Sequence, residues 1–143
     1  MNTAALIVPT AVLVGLTFIV SLSLVIYRFY LVRTGGVHPG YFKLNKGSKP
    51  PKRHDALEHN YSNLFEVPIL FYTIVAIAIA TQHIDETLVM LAWIFVGFRI
   101  AHTIIHVAYN HILHRLVAFF FAYVTVGIMW FRVVSDILNA PIS

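Results

Sequence analysis

Three polar side chains recur at helical spacing in an otherwise apolar segment of the chain. His59, Asn63 and Glu66 fall within about 60° of one another on a helical wheel, so one narrow face of a helix would carry all three. An imidazole, an amide and a carboxylate on one face can bind a polar ligand. Asn and Glu near a helix start can instead cap the helix and interact with its dipole, and this interpretation stays open.

A second polar face follows in the next apolar segment. Arg99, His102 and His106 also fall within about 60° of one another, and apolar residues occupy the rest of that helix. No acid lies within one turn of Arg99, so its charge needs a partner from another helix. Glu66 is the only acid of the two segments placed deep enough. Arg99 and Glu66 are therefore predicted either to form a structural ion pair or to contribute to one binding site.

Arg115 begins a third polar face, which Phe119 and Tyr123 continue. An arginine at a helix end is commonly an interfacial anchor whose charge reaches the lipid head groups. Taken together, however, the three faces predict a pocket for a small ligand that carries both carboxylates and an amine. The candidate site residues are His59, Asn63, Glu66, Arg99, His102, His106 and Arg115.

The elements that carry these faces follow from an apolar composition. Of the 143 residues, 59% are hydrophobic and only 11% are charged, with a mean hydropathy of +0.78, whereas soluble domains carry about 25% charged residues. This shortage predicts an integral membrane protein and excludes an ordinary soluble domain, a disordered tail and a nucleic-acid-binding module. Ionisable groups inside spanning segments cost roughly 2.5–3.5 kcal/mol each, which singles out the three polar faces. Cysteine is absent, which excludes disulfides and thiolate metal sites.

Four apolar segments are each long enough to span a membrane, which takes about 20 residues. The first carries no charge from Ala4 to Tyr27, and the lack of Lys or Arg before Arg28 predicts a retained helix, not a cleaved signal peptide. Short connections make neighbouring helices antiparallel. The predicted fold is an all-α, antiparallel four-helix transmembrane bundle that forms one domain over residues 1–143. The predicted helices cover residues 4–32, 57–81, 86–110 and 113–137.

A loop over residues 33–56 separates the first two helices. Its glycines and prolines predict an absence of regular structure. It also carries several lysines and no acid before Asp55, so the positive-inside rule predicts a cytoplasmic loop with both termini on the non-cytoplasmic side. Arg132, near the far end of the last helix, argues weakly against this orientation. The membrane is expected to be a bacterial inner membrane or the endoplasmic reticulum.

The polar faces contain a recognisable pattern. The segment from His59 to Pro68 holds Asn-x-x-Glu-x-Pro at the start of the second helix, and Arg99-Ile-Ala-His-Thr leads towards Arg115. With four helices, this size and a basic first loop, the chain resembles the MAPEG superfamily, the membrane-associated proteins in eicosanoid and glutathione metabolism. The resemblance covers nearly the whole chain. It implies a homotrimer of four-helix bundles with glutathione bound between neighbouring subunits.

The resemblance also implies roles for individual residues. In this superfamily the residues matching Asn63 and Glu66 contact glutathione, the one matching Arg99 supports the same site, and the one matching Arg115 stabilises the thiolate. Arg115 is therefore the expected catalytic residue, and the other six candidates are expected to bind glutathione. The expected activity is a glutathione-dependent transferase or peroxidase, in which the thiolate attacks a lipophilic electrophile or hydroperoxide.

Several positions depart from the family pattern. His59 stands where eicosanoid-type members have Arg, and Val67 where some have Tyr. His106 occupies the position of an expected pocket Tyr, and Phe119 replaces a later Tyr. The departures favour three alternatives: a divergent thiol, another anionic ligand, or a non-catalytic member that binds lipid or acts as a scaffold.

A metal or haem protein is a further alternative. His102 and His106 are spaced i, i+4, and Glu66 or His59 could complete a metal site. Arg99 lies on the same helical face and would repel a cation, and the His-Glu-x-x-His pattern is absent. No metal site is therefore predicted. A transporter is disfavoured because the sequence shows neither an internal repeat nor a pair of broken helices.

Overall fold

Four long apolar helical segments dominate the structure. The computed structural model describes residues 2–44 and 49–139, and over these residues every regular element is a helix, as predicted. Within these described residues, four segments are long and apolar enough to cross a membrane. The helices are α1 (Ala4–Arg33), α2 (Pro39–Leu44), α3 (Lys52–Asn63), α4 (Val67–Ala80), α5 (Glu86–Ala108) and α6 (Ile112–Asn139).

The second spanning segment differs from its prediction in two respects. It starts at Lys52, five residues before the predicted residue 57, directly after the Pro50-Pro51 pair. It is also divided into α3 and α4 by a turn at residues 64–66. Pro68 explains the turn, because its nitrogen has no hydrogen to donate to the carbonyl of Leu64 and its ring crowds that carbonyl. The candidate residues Asn63 and Glu66 therefore flank a helix break.

The loop between the first two spanning segments contains more helix than predicted. The helix α2 and the first turn of α3 both fall within residues 33–56. Residues 45–48 of the predicted loop lie outside the described part of the structure. The basic residues around this loop, among them Arg33 and Lys52, lie at the same end of the bundle as Arg115, and we call this end the basic end.

The apolar core holds the helices together away from the basic end. Phe71 of α4 and Phe95 of α5 are fully buried, and their rings stack with centroids 4.6 Å apart. The helix α1 packs on α3 and α5, and α6 packs on α4 and α5. Because only residues 109–111 separate α5 from α6, these two packed helices run antiparallel. Close side-chain packing of this kind drives helix association in lipid.

The turn between α4 and α5 closes the opposite end of the bundle. Asp85 caps α5 by accepting the Leu88 N–H at 2.7 Å, and its second oxygen accepts a hydrogen bond from Arg132 of α6. Desolvation acts to raise the pKa of Asp85, but the hydrogen bonds from Arg132 and Leu88 outweigh it and lower this pKa below its ordinary value. Arg132 therefore has an anionic partner at this end of the bundle.

This ion pair predicts a pH dependence of stability. A folded-state pKa that is lowered contributes stability that is present at neutral pH and lost as pH falls through the folded-state pKa. Asp85→Asn retains a good helix cap, so it should lower the melting temperature slightly at pH 7 and leave it unchanged at acidic pH. Thermal unfolding across this pH range, with Glu86→Gln as control, measures the effect. A difference that does not depend on pH would contradict the assignment.

Candidate functional site

The break in the second spanning segment creates a binding point for Arg99. Asn63 ends α3, and its backbone carbonyl accepts a hydrogen bond of 2.6 Å from Arg99 Nη2. The last carbonyls of a helix have no intrahelical donor, which leaves this oxygen available. Arg99, with 0% of its surface exposed, is fully buried between the helices. Because the helix break frees this carbonyl, Arg99 of α5 can link α5 to the end of α3.

The remaining donors of Arg99 are unpaired within residues 2–44 and 49–139. Its Nε and Nη1 atoms are buried and have no hydrogen-bond partner there. Among these residues no ion pair joins Arg99 to Glu66, and Glu66 is exposed. The structural ion pair that the sequence offered as one alternative is therefore not present in this part of the chain. A buried guanidinium with free N–H groups has the chemistry to bind a carboxylate.

A polar cavity of about 310 Å³ lies between α3, α5 and α6 at the basic end. Three of the predicted site residues, His59, His106 and Arg115, line it together. The cavity also brings in polar residues that the sequence did not single out, and these are Lys52, Asp55 and Asn110.

Arg115 is held in this cavity by two hydrogen bonds. Its Nη1 lies 3.0 Å from His106 Nε2 and 3.0 Å from Asn110 Oδ1. Because a guanidinium can only donate, His106 Nε2 must accept, so the imidazole is neutral with its proton on Nδ1. Asn110 has a backbone φ of +49°, a left-handed conformation that asparagine tolerates at the end of α5. The turn after α5 therefore positions the side chain that orients Arg115.

His102 connects these two parts of the site. It is buried between Arg99 and His106 on α5, and its ring lies 5.6 Å from that of His106 and 6.0 Å from that of Phe119. The seven predicted residues thus fall into two groups. The residues around the cavity are His59, His106 and Arg115, and those around the helix break are Asn63, Glu66 and Arg99, with His102 between them.

A further polar cluster was not predicted from the sequence. Arg28 of α1 donates from Nε to His54 Nε2 at 3.1 Å and from Nη2 to Glu58 Oε1 at 2.6 Å. His54 is fully buried and its ring packs on Phe42 of α2, with centroids 5.3 Å apart. The i, i+4 spacing of His54 and Glu58 was the available signal. This cluster attaches the loop helix α2 to α1 and α3.

The same cluster also contains side chains of the types that coordinate metal ions. His54, Asp55 and Glu58 can bring one ligand atom each to within 4.8 Å of one another. The guanidinium of Arg28, however, binds two of these three residues directly, and a cation at this point would be repelled by it. The cluster is explained by ion pairing and hydrogen bonding, and we assign it a structural role.

We expect Arg28→Met to destabilise the protein. The substitution leaves the buried His54 Nε2 without its donor, and an unsatisfied buried polar group costs about 1–3 kcal/mol. The melting temperature in detergent should therefore fall. Arg33→Met removes an exposed arginine of the same helix and serves as the control. Equal melting temperatures for the two variants would contradict the role given to this cluster.

The fold and the site together define a class of protein: a small four-span helical membrane protein with a buried cationic site at one end. The sequence model of the MAPEG family matches residues 6–135, which is nearly the whole chain. The chain belongs to the MAPEG family, as its residue pattern predicted, and it is an integral, multi-pass membrane protein related to glutathione and eicosanoid metabolism. No curated protein and no solved structure shows a significant match to the chain.

Proposed function

We propose that the protein is a glutathione-dependent membrane transferase or peroxidase. The observation that carries the proposal is Arg115, an arginine held by His106 and Asn110 against a polar cavity at the basic end of the bundle. A fixed cation beside a thiol favours the thiolate, which is the nucleophilic form. Membership of the MAPEG family supports glutathione as the source of that thiol.

The proposed reaction is nucleophilic attack by the glutathione thiolate. The thiol loses its proton to solvent, and the charge that remains on sulfur is stabilised by Arg115. With a dinitrohalobenzene, a carbon–sulfur bond forms, the carbon–halogen bond breaks, and the halide leaves with its electron pair. The electrophile would enter from the lipid side, where the walls of the bundle are apolar.

Two of the other candidate residues, Arg99 and Glu66, carry charges opposite to those of the carboxylate and ammonium groups of glutathione. The unpaired donors of Arg99 suit a carboxylate of the tripeptide. The exposed carboxylate of Glu66 suits its ammonium group, and the Asn63 side chain can add a hydrogen bond. In this proposal, the imidazoles of His59, His102 and His106 lie beside the thiol and its neighbouring peptide groups.

We further propose that the functional unit is a homotrimer with the site at the subunit boundary. Glu66 and its neighbour Phe65 are exposed in the single chain, inside a membrane-spanning segment. A carboxylate that faces lipid is costly, and such groups usually face a protein interior or water. A neighbouring subunit would cover this face. Cross-linking of the detergent-solubilised protein, followed by mass measurement, tests the number of subunits.

The departures from the family pattern differ in whether they line the polar cavity. Val67 is buried in the apolar core and does not line the cavity. His106 and His59 do line it, so they are the departures that would alter ligand binding. Because His59 and His106 depart from the family pattern at the cavity itself, they also support the alternative function, that of a non-catalytic family member that binds lipid.

Turnover measurements separate the two functions. The proposed enzyme should conjugate glutathione to a dinitrohalobenzene or reduce a lipid hydroperoxide at a rate that depends on protein concentration. The alternative predicts bound lipid and no turnover with any of a broad panel of electrophiles. An inactive but correctly folded protein would therefore exclude the proposed chemistry.

A further inference from the structure

A second cavity is an apolar groove on the other side of α3. It has a volume of about 680 Å³ and lies between α1, the start of α3 and the end of α5. It shares no lining residue with the cavity of Arg115. Most of its wall is aliphatic, and characteristic lining residues are Leu16, Ile19, Ile26, Leu57, Ile104 and Val107.

The two aliphatic hydroxyl groups along this groove, those of Ser23 and Thr103, donate their hydrogen bonds within the protein. Ser23 Oγ donates to the Ile19 carbonyl at 2.7 Å, and Thr103 Oγ1 donates to Asn60 Oδ1 at 3.3 Å. Their hydrogens are therefore not available to a ligand, and the groove offers a ligand mainly hydrocarbon. In a membrane such a surface suits an acyl chain.

One end of the groove carries a positive charge. Arg53, in the first turn of α3, lies with its guanidinium carbon 5.8 Å from the centroid of the Tyr27 ring. Tyr30 stacks on Tyr27 with centroids 6.2 Å apart, and all three residues line the groove. Tyrosine and arginine are typical of the membrane–water interface, where the head groups of lipids lie.

We propose that this groove binds an anionic phospholipid, with its phosphate on Arg53 and one acyl chain between α1 and α5. From Leu16 to Tyr30 the helix rises by about 21 Å, which is more than half of the roughly 30 Å hydrocarbon core and suits an acyl chain of one leaflet. Basic pockets between membrane helices bind anionic head groups in this way. A volume of this size holds one small ligand, so the second acyl chain stays in the bilayer.

The position of α3 makes this lipid relevant to the rest of the molecule. Arg53 and Leu57 face the groove, whereas Asp55 and His59 line the cavity of Arg115 on the opposite side of the same helix. The proposed lipid therefore contacts the helix that contributes to the polar site without entering that site. Its binding does not depend on glutathione or on catalysis.

Native mass spectrometry of the whole protein from mixed phosphatidylglycerol and phosphatidylcholine tests this proposal. The wild type should retain phosphatidylglycerol selectively, and Arg53→Gln should weaken this retention about fivefold. Lys43→Gln, which makes the same change of charge outside the groove, should retain it as the wild type does. Equal retention in Arg53→Gln and the wild type would overturn the proposal.

A second pair of variants tests the acyl chain. Ile104→Trp fills the groove and should reduce retention, whereas Ile128→Trp places the same bulk on an exposed position of α6 outside the groove. If Ile104→Trp instead changed the number of subunits and left lipid retention intact, a second copy of the chain would cover the groove. That result would also overturn the proposal.

Discussion

Replacing Arg115 with alanine should reduce glutathione conjugation by about 100- to 1,000-fold, the loss expected when one preorganised charge stabiliser is removed. The physical reason is that the thiolate then loses the cation that His106 and Asn110 hold against the cavity. The protein should stay folded, because Arg115 is only partly buried and its loss leaves the apolar core intact. Initial rates at saturating electrophile, with folding checked by thermal unfolding, measure the effect.

Two control variants separate this role from general effects of charge and structure. Arg33→Ala removes an exposed arginine at the same end of the bundle and should retain full activity. Asn110→Gly keeps the left-handed backbone but removes one partner of Arg115, so a smaller loss is expected. Unchanged conjugation by Arg115→Ala would remove the proposed thiolate stabiliser.

Replacing Arg99 with methionine should weaken glutathione binding by about 10- to 100-fold, the loss of one or two charge-assisted hydrogen bonds. Two opposing effects act on the unliganded protein. The Asn63 carbonyl loses its donor, but a buried charge with two unpaired nitrogen atoms is also removed. We therefore expect Arg99→Met to fold and to lose mainly the stabilisation that glutathione provides.

The control for Arg99→Met is an arginine at the other end of the bundle. Arg132→Met removes the partner of Asp85 and should lower stability slightly without changing the response to glutathione. Thermal unfolding of both variants over a range of glutathione concentrations measures the comparison. A wild-type dissociation constant in Arg99→Met would show that Arg99 has only the structural role of holding α3.

Much of the fold follows from the positions of the charges. The charge-free run from Ala4 to Tyr27 predicts α1, and the limits of α5 and α6 lie within about two residues of their predicted positions. The break at residues 64–66 does not follow from the sequence pattern, which places Pro68 near the start of a helix over residues 57–81. In fact, α3 begins at Lys52, so Pro68 lies deep inside the segment, where a missing N–H interrupts the helix.

The sequence predicts which candidate residues share a helix face, but not which side chains meet between helices. Helical periodicity places side chains on a face, and it grouped His59 with Asn63 and His106 with Arg99. It cannot show which groups meet across helices. The partner of Arg99 is a backbone carbonyl that only the helix break makes available, and the cluster of Arg28 with His54 joins residues far apart in the sequence.

Binding of glutathione to the wild-type protein is the most direct test of the proposed function. The detergent-solubilised protein should melt at temperatures that rise with glutathione concentration, since a ligand present at 100 times its dissociation constant stabilises the folded state by about 2.7 kcal/mol. The rise should continue with the logarithm of the concentration above that constant. A melting temperature that stays constant up to millimolar glutathione would contradict the proposal that this protein uses glutathione.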